Sequence, residues 1–231
     1  MYSGMINNDF FTVIFPDETN KLFEENEEVR TAFERSMNCK EVSDAIAIMY
    51  NGSKSKGVSL EKVKSDVHGM CRSVLIRKVV TDLGYDLNLS VKDMIMKHIS
   101  DDEIMDILLD KGSYETVQAE PINEEMVKNI FKNTWECKAA FEKIIQSSVV
   151  KLHMRELLIL FGCRDMVGRE RCASLIYDKL KVQFVRGALL SCVEDATLSL
   201  KSALLSDLSV ENGDKYLQEF KIMTLKITPK Y

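Results

Sequence analysis

Apolar residues along this chain recur mostly at three- and four-residue steps, the repeat that lines one face of an α-helix. Leu22, Val29, Phe33 and Met37 fall on one such face, with polar Asn26 filling the gap between the first two. Asn38 and Glu41 have the spacing of a capping box, so a new helix is expected from Asn38, closed by Asn51-Gly52. Val63, Val67, Met70, Val74 and Leu75 predict a long helix from Ser59 to about Leu83, with Gly84 placed to end it. Ser90 precedes a short helix carrying Val91, Met94, Ile95 and His98. Ser100 and Glu103 form a second capping box, with Asp101 and Asp102 at the positive end of the helix dipole and Gly112 at the far end.

The loop 113–123 ends in Pro121 and a cap at Asn123. Met126, Ile130, Cys137, Phe141, Ile144 and Ile145 then share a face, with Trp135 beside it. Val149 to Phe161 is nearly all apolar apart from Lys151, His153, Arg155 and Glu156, which predicts a central core helix ended by Gly162. Two further helices fit 165–186 and 188–206, separated at Gly187. Two runs break the helical rhythm. Phe10–Phe15 is aromatic and β-branched and stops at Pro16, and Phe220–Ile227 alternates with period two after Asn212-Gly213. Each reads as a short strand or an extended arm.

Composition agrees with the periodicity. Three prolines (Pro16, Pro121, Pro229) and ten glycines in 231 residues are too few for the turns that a sheet protein of this length requires. The expected fold is mainly all-α: a multi-helix globular bundle with short strand-like or extended N- and C-terminal segments. Residues 51–58, NGSKSKGV, form the clearest connector and divide an N-terminal arm and helical hairpin (1–58) from a main helical domain (59–231), unless the whole chain is one domain. No run reaches the roughly 18 apolar residues of a membrane span. MYSGMINNDFF lacks the basic-then-apolar order of a secretory signal. Six cysteines at irregular spacing point to a reducing, intracellular compartment.

The net charge of −5 is segmented. Residues 17–44 carry nine acids and four bases, 54–80 seven bases and two acids, 82–125 twelve acids and three bases, and 128–186 twelve bases and six acids. Such blocks build either a two-faced surface for assembly and anionic partners or separately solvated helix faces. The strongest lead is cationic: Lys151, Arg155, Arg164, Arg169, Arg171, Lys179, Lys181 and Arg186, joined by Lys54 and Lys56 of the connector. Arg164, Arg169 and Arg171 cluster around the turn Gly162–Gly168, a setting suited to phosphate oxygens. Interleaved Asp165, Glu170 and Asp178 give the competing reading of salt-bridged structural helices.

Catalytic and metal chemistry find little support. Gly52 and Gly57 have phosphate-loop spacing, but Val58 stands where the lysine belongs and a helix, not a strand, precedes the loop. His68 and Cys71 sit at i and i+3, yet zinc needs four ligands and no CxxC pair supplies them; Cys163 and Cys172 converge only if the tertiary fold brings them together. His153 on an apolar helix reads as a satisfied packing group rather than a base, and Asp101, Asp102, Glu103 and Asp106 as helix-start acids rather than a cation site. No catalytic residue, cofactor or metal is assigned, and the chain is expected not to be an enzyme.

His153-Met154-Arg155-Glu156-Leu157, Cys172-Ala173-Ser174-Leu175-Ile176-Tyr177-Asp178 and the stretch from Gly187 to Asp195, with Leu190 and Cys192, together resemble the end of the helical core of orthomyxovirus matrix proteins. Asp101-Asp102-Glu103-Ile104-Met105-Asp106 is similar to an acidic helix start of the influenza C type. The compact basic cluster of influenza A matrix proteins has no counterpart at Phe141–Ile145, and the strand-like ends depart from the family. The resemblance implies a helical, non-enzymatic protein that assembles beneath a membrane or onto ribonucleoprotein. The functional expectation is therefore a viral-type structural assembly protein that self-associates and contacts ribonucleoprotein RNA or anionic headgroups through a basic surface. The alternative is a helical interaction module, an adaptor or virus-encoded host antagonist, that receives a partner protein in an apolar groove.

Overall fold

Side-chain caps set where most of the helices begin. In the computed structural model, which describes residues 16–83, 85–109, 124–163 and 165–227, 86% of the described residues are helical and none lies in a named strand. The α-helices are α1 (Pro16–Glu25), α2 (Glu27–Met37), α3 (Lys40–Ser53), α4 (Leu60–Leu83), α5 (Val91–His98) and α6 (Asp101–Leu109). They continue with α7 (Glu124–Asn133), α8 (Trp135–Gln146), α9 (Ser148–Leu160), α10 (Met166–Glu194), α11 (Leu200–Asp207) and α12 (Val210–Ile227). The all-α expectation is met. Asn26 accepts the Val29 amide, Ser59 that of Lys62, Ser90 that of Asp93, Ser100 that of Glu103 and Ser147 that of Val150, at 3.0–3.3 Å. Each supplies an acceptor for an amide that has no partner inside its helix.

Several expectations change. The carboxyl-terminal run 220–227 is the end of helix α12 rather than a strand or arm. Asn212-Gly213 is not a turn but the first turn of that helix: the Ser209 hydroxyl accepts the Asn212 amide at 3.1 Å, and α12 packs along α9 and α8. At Gly213 a Cβ would stand 2.7 Å from Ile144 Cγ2, so the glycine serves close helix approach. Gly187 likewise does not break a helix. α10 runs straight through it, and a Cβ there would lie 2.6 Å from Tyr216 Oη. Asn38 caps the end of α2, its Nδ2 donating to Glu34 O, while α3 starts at Lys40 with no side-chain cap from Cys39 before it. α3 continues through Asn51-Gly52, and the connector tightens into a 3-10 turn, Lys54–Lys56, closed by left-handed Gly57 (φ 74°). Phe10–Phe15, Gly84, Gly112 and Asn123 lie outside the described residues.

The contacts divide the chain into two units. One holds α1 to α6 with residues 192–199; the other holds α7 to α10 as far as Ser191, with α11 and α12. The boundary expected at 58/59 falls inside the first unit, where α3 and α4 pack together. In that unit α4 is the hub, touching α1, α3, α5 and α6, with Phe23, Phe33, Met37, Leu75 and Leu83 wholly buried. Residues 192–199 join it through Lys92 N–H to Ala196 O at 2.9 Å and an isolated bridge of Ser90 to Ser199. The second unit is built on an aromatic chain, Phe131–Phe141–Phe184–Tyr216, each pair edge-to-face at 5.2–6.1 Å between centroids.

Candidate functional site

Gly162 ends α9 in the left-handed conformation (φ 66°), the backbone position at which glycine escapes the Cβ clash. The Gly162 amide donates to Ile159 O at 2.9 Å and the Cys163 amide to Leu158 O at 3.1 Å, the paired bonds of a Schellman motif. Asp165 then opens α10 by accepting the Gly168 amide at 2.7 Å, and Arg169 Nε donates to Cys163 O at 3.0 Å. The corner between α9 and α10 is thus fixed by hydrogen bonds on both sides.

Its outer surface combines aliphatic and cationic side chains. Ile159 is 74% exposed, Met166 75%, Val167 57% and Leu152 54%. Lys151, Arg155, Arg169 and Arg171 are exposed on the same two elements. On α9 the geometry follows from helical spacing: Leu152, Arg155 and Ile159 sit at three- and four-residue steps on one outward stripe, opposite buried Val150, Met154 and Leu157. The expected central core helix is therefore buried on one side only. Glu156 is drawn off to the flank, where it accepts hydrogen bonds from Lys221 Nζ (2.8 Å) and His153 Nδ1 (3.0 Å). These partners, the lysine foremost, hold its carboxyl below the usual range. His153 also faces Asp214 through Nε2 at 3.0 Å, so both ring nitrogens have carboxylate partners.

Two of the remaining cations are engaged in pairs of their own. Lys179 pairs with Glu124 at 2.6 Å, and Lys181 pairs with Asp178 at 3.0 Å while lying 5.5 Å above the Phe141 ring. Both are structural. Arg186 is half-buried on α10, and Lys54 and Lys56 stand exposed on the 3-10 turn of the other unit. Arg164 lies outside the described residues. Cys163 and Cys172 do meet: both are buried and their side chains hydrogen-bond. Burial first, then the Cys163 contact, pushes the Cys172 thiol up to about 12, so it stays protonated at neutral pH. His68, paired with Cys71 in sequence, turns instead toward Glu34 (3.8 Å) and the edge of Phe33. Sequence reasoning missed the exposed aliphatics. Their signal was present in the seven-residue step from Leu152 to Ile159, flanked by Lys151 and Arg155.

No protein family, no curated protein and no solved structure matches the chain. Among the described residues, no helix is long and apolar enough to cross a membrane.

Proposed function

We propose that this chain is a non-enzymatic structural assembly protein of matrix or nucleoprotein type, which self-associates in a reducing intracellular setting and contacts an anionic partner through the α9–α10 corner. One observation carries the reading: exposed Leu152, Ile159, Met166 and Val167 share a hydrogen-bonded corner with exposed Lys151, Arg155, Arg169 and Arg171. That mixture favours a lipid surface over RNA. Phosphate oxygens need only the cations, whereas the aliphatic side chains gain free energy only where an apolar layer receives them. Each fully buried aliphatic contributes about 1.5–3 kcal/mol, and each cation near an anionic leaflet about 1 kcal/mol. Neither set suffices alone, so the corner has the two-signal character of a peripheral membrane contact. The six free cysteines are compatible with a reducing compartment.

The test is co-sedimentation with phosphatidylserine-containing and pure phosphatidylcholine vesicles, with light-scattering mass measured across ionic strength. Binding to the anionic vesicles is expected. It should fall at least tenfold in Lys151→Glu/Arg155→Glu/Arg171→Glu and also in Ile159→Ser/Met166→Ser/Val167→Ser. Loss in the cationic variant alone, with RNA binding whose log–log salt slope is about 0.7–0.9 per phosphate contact, would point to RNA instead. If the protein stays a strict monomer at every salt and binds neither, the same exposed aliphatics favour the adaptor reading, with a partner protein covering them.

A further inference from the structure

Lys64, His68 and Arg72 follow one another at four-residue steps on α4, so they climb one face of the helix. Ser65 and Gly69 run alongside at the same spacing. With Glu24 of α1 and Asn38 at the end of α2, these residues line an open cavity of about 600 Å³ inside the first unit. Gly69 borders open space on the α4 side, where an added Cβ would meet nothing within 4 Å.

Arg72 is held in place. Its side chain is 15% exposed, its guanidinium lies 5.7 and 5.5 Å from the Phe23 and Phe33 ring centroids, and Nη1 reaches Glu24 Oε1 at 3.3 Å. His68 stands edge-on to Phe33 at 5.7 Å, with Nδ1 3.8 Å from Glu34. Burial lowers the His68 pKa; Glu34 of α2 opposes the shift, and Arg72 and Lys64 add to it. Among the described residues, two permanent cations, Arg72 and Lys64, line the cleft against the carboxylate of Glu24, with Glu34 beside His68. The Glu24 side chain is 63% exposed and lies 3.3 Å from Arg72, so that pair is screened by water and worth little.

We propose that this groove binds a phosphate group carried by a small soluble anion, with Arg72 and Lys64 as its cationic partners and Ser65 and His68 as hydrogen-bond donors. Arginine suits the role because its planar fork donates two parallel hydrogen bonds to adjacent phosphate oxygens. The site belongs to the first unit and stands independently of the corner described above.

The experiment is an NMR titration of the full chain with inorganic phosphate and, separately, with adenosine monophosphate, following the His68 ring resonances. Saturation should shift those resonances and raise the His68 pKa, because the bound dianion outweighs Arg72, Lys64, Glu24 and Glu34 as its nearest charge. Gly69→Glu, which enters open space and favours helix, should weaken binding by about tenfold or more, while Gly69→Ala retains it. Glu24→Gln should tighten binding, since it removes the competing carboxylate; a purely structural Glu24 would give the opposite sign. Equal affinity for the two probes identifies the free anion as ligand, and tighter adenosine monophosphate binding identifies a phosphate ester whose organic part fills the rest of the cavity. The proposal is overturned if neither probe moves His68 at about 10 mM, roughly ten times a millimolar Kd. It is overturned equally if Gly69→Glu binds like the parent chain.

Discussion

Asp207 is a carboxylate placed against its own charge. Burial raises its pKa above the ordinary aspartate value, while the Tyr216 hydroxyl (3.0 Å to Oδ2) and then Lys215 pull it down. Asn212 Nδ2 donates to its Oδ1 at 2.8 Å, and Gly187 supplies the space in which this cluster sits. A raised folded-state pKa means that the native state binds the proton more tightly. The stabilising contribution is therefore complete below the unfolded value of about 4 and is lost as pH rises through the folded value. Asp207→Asn keeps an oxygen for Tyr216 and removes the titration. Urea denaturation between about pH 4 and pH 7 should show that the variant loses less stability on going to neutral pH than the parent chain. An unchanged difference between the two ends of that range would show that Asp207 is not the group responsible. None of this was legible in the sequence. Gly187 looked like a helix break because a glycine's reason for being in a helix is the neighbour that approaches it, here from α12, twenty-nine positions on at Tyr216.

At the level of elements, long periodic runs with polar caps could be read directly. Ser100, three residues before Glu103, marks a helix start in the sequence, Ser90 precedes the short helix expected after it, and α4 begins within one residue of its expected position. Short apolar runs could not be read so. Phe220–Ile227 satisfies a period of two and, through Leu217, Phe220 and Thr224, a helical spacing as well. What decides between them is packing on α9 and α8, which the local pattern does not contain. The same ambiguity hid the break at Thr134, which divides one continuous periodic stretch into α7 and α8. Leu217 gives a direct test, because it is fully buried on α12. Leu217→Ala should destabilise the chain by about 2–5 kcal/mol in urea or thermal unfolding, the usual cost of emptying a leucine site in a packed core. A change under about 0.5 kcal/mol, the level of a surface substitution, would mean that α12 is not docked.

At the scale of the whole molecule, part of the charge segmented along the sequence is paired between blocks. Glu24 of the acidic block 17–44 meets Arg72 of the basic block 54–80, and the acidic block 82–125 meets basic partners through Glu103–Lys78 and Glu124–Lys179. The four cations of the α9–α10 corner, Lys151, Arg155, Arg169 and Arg171, are all exposed. In the second unit, Lys179–Glu124, Lys201–Glu136 and Lys221–Glu156 tie together helices that are far apart in the chain. In each pair the lysine hydrogen bond is the foremost cause holding the glutamate below its ordinary pKa. A depressed folded-state value gives stability that is present above the unfolded glutamate pKa, about 4.3, and is lost as pH falls through the folded one. This runs opposite in sign to Asp207, so acidification relieves one buried carboxylate while it uncouples three lysine pairs. The balance predicts that the chain loses stability on going from about pH 5 to pH 3, and that about 1 M salt, which screens exposed pairs to a few ångströms, shrinks the loss. Glu124→Gln/Glu136→Gln/Glu156→Gln should flatten this acid limb in thermal unfolding followed by dichroism and leave the Asp207 limb in place. An acid limb as steep in the triple variant as in the parent would assign it to carboxylates other than these three.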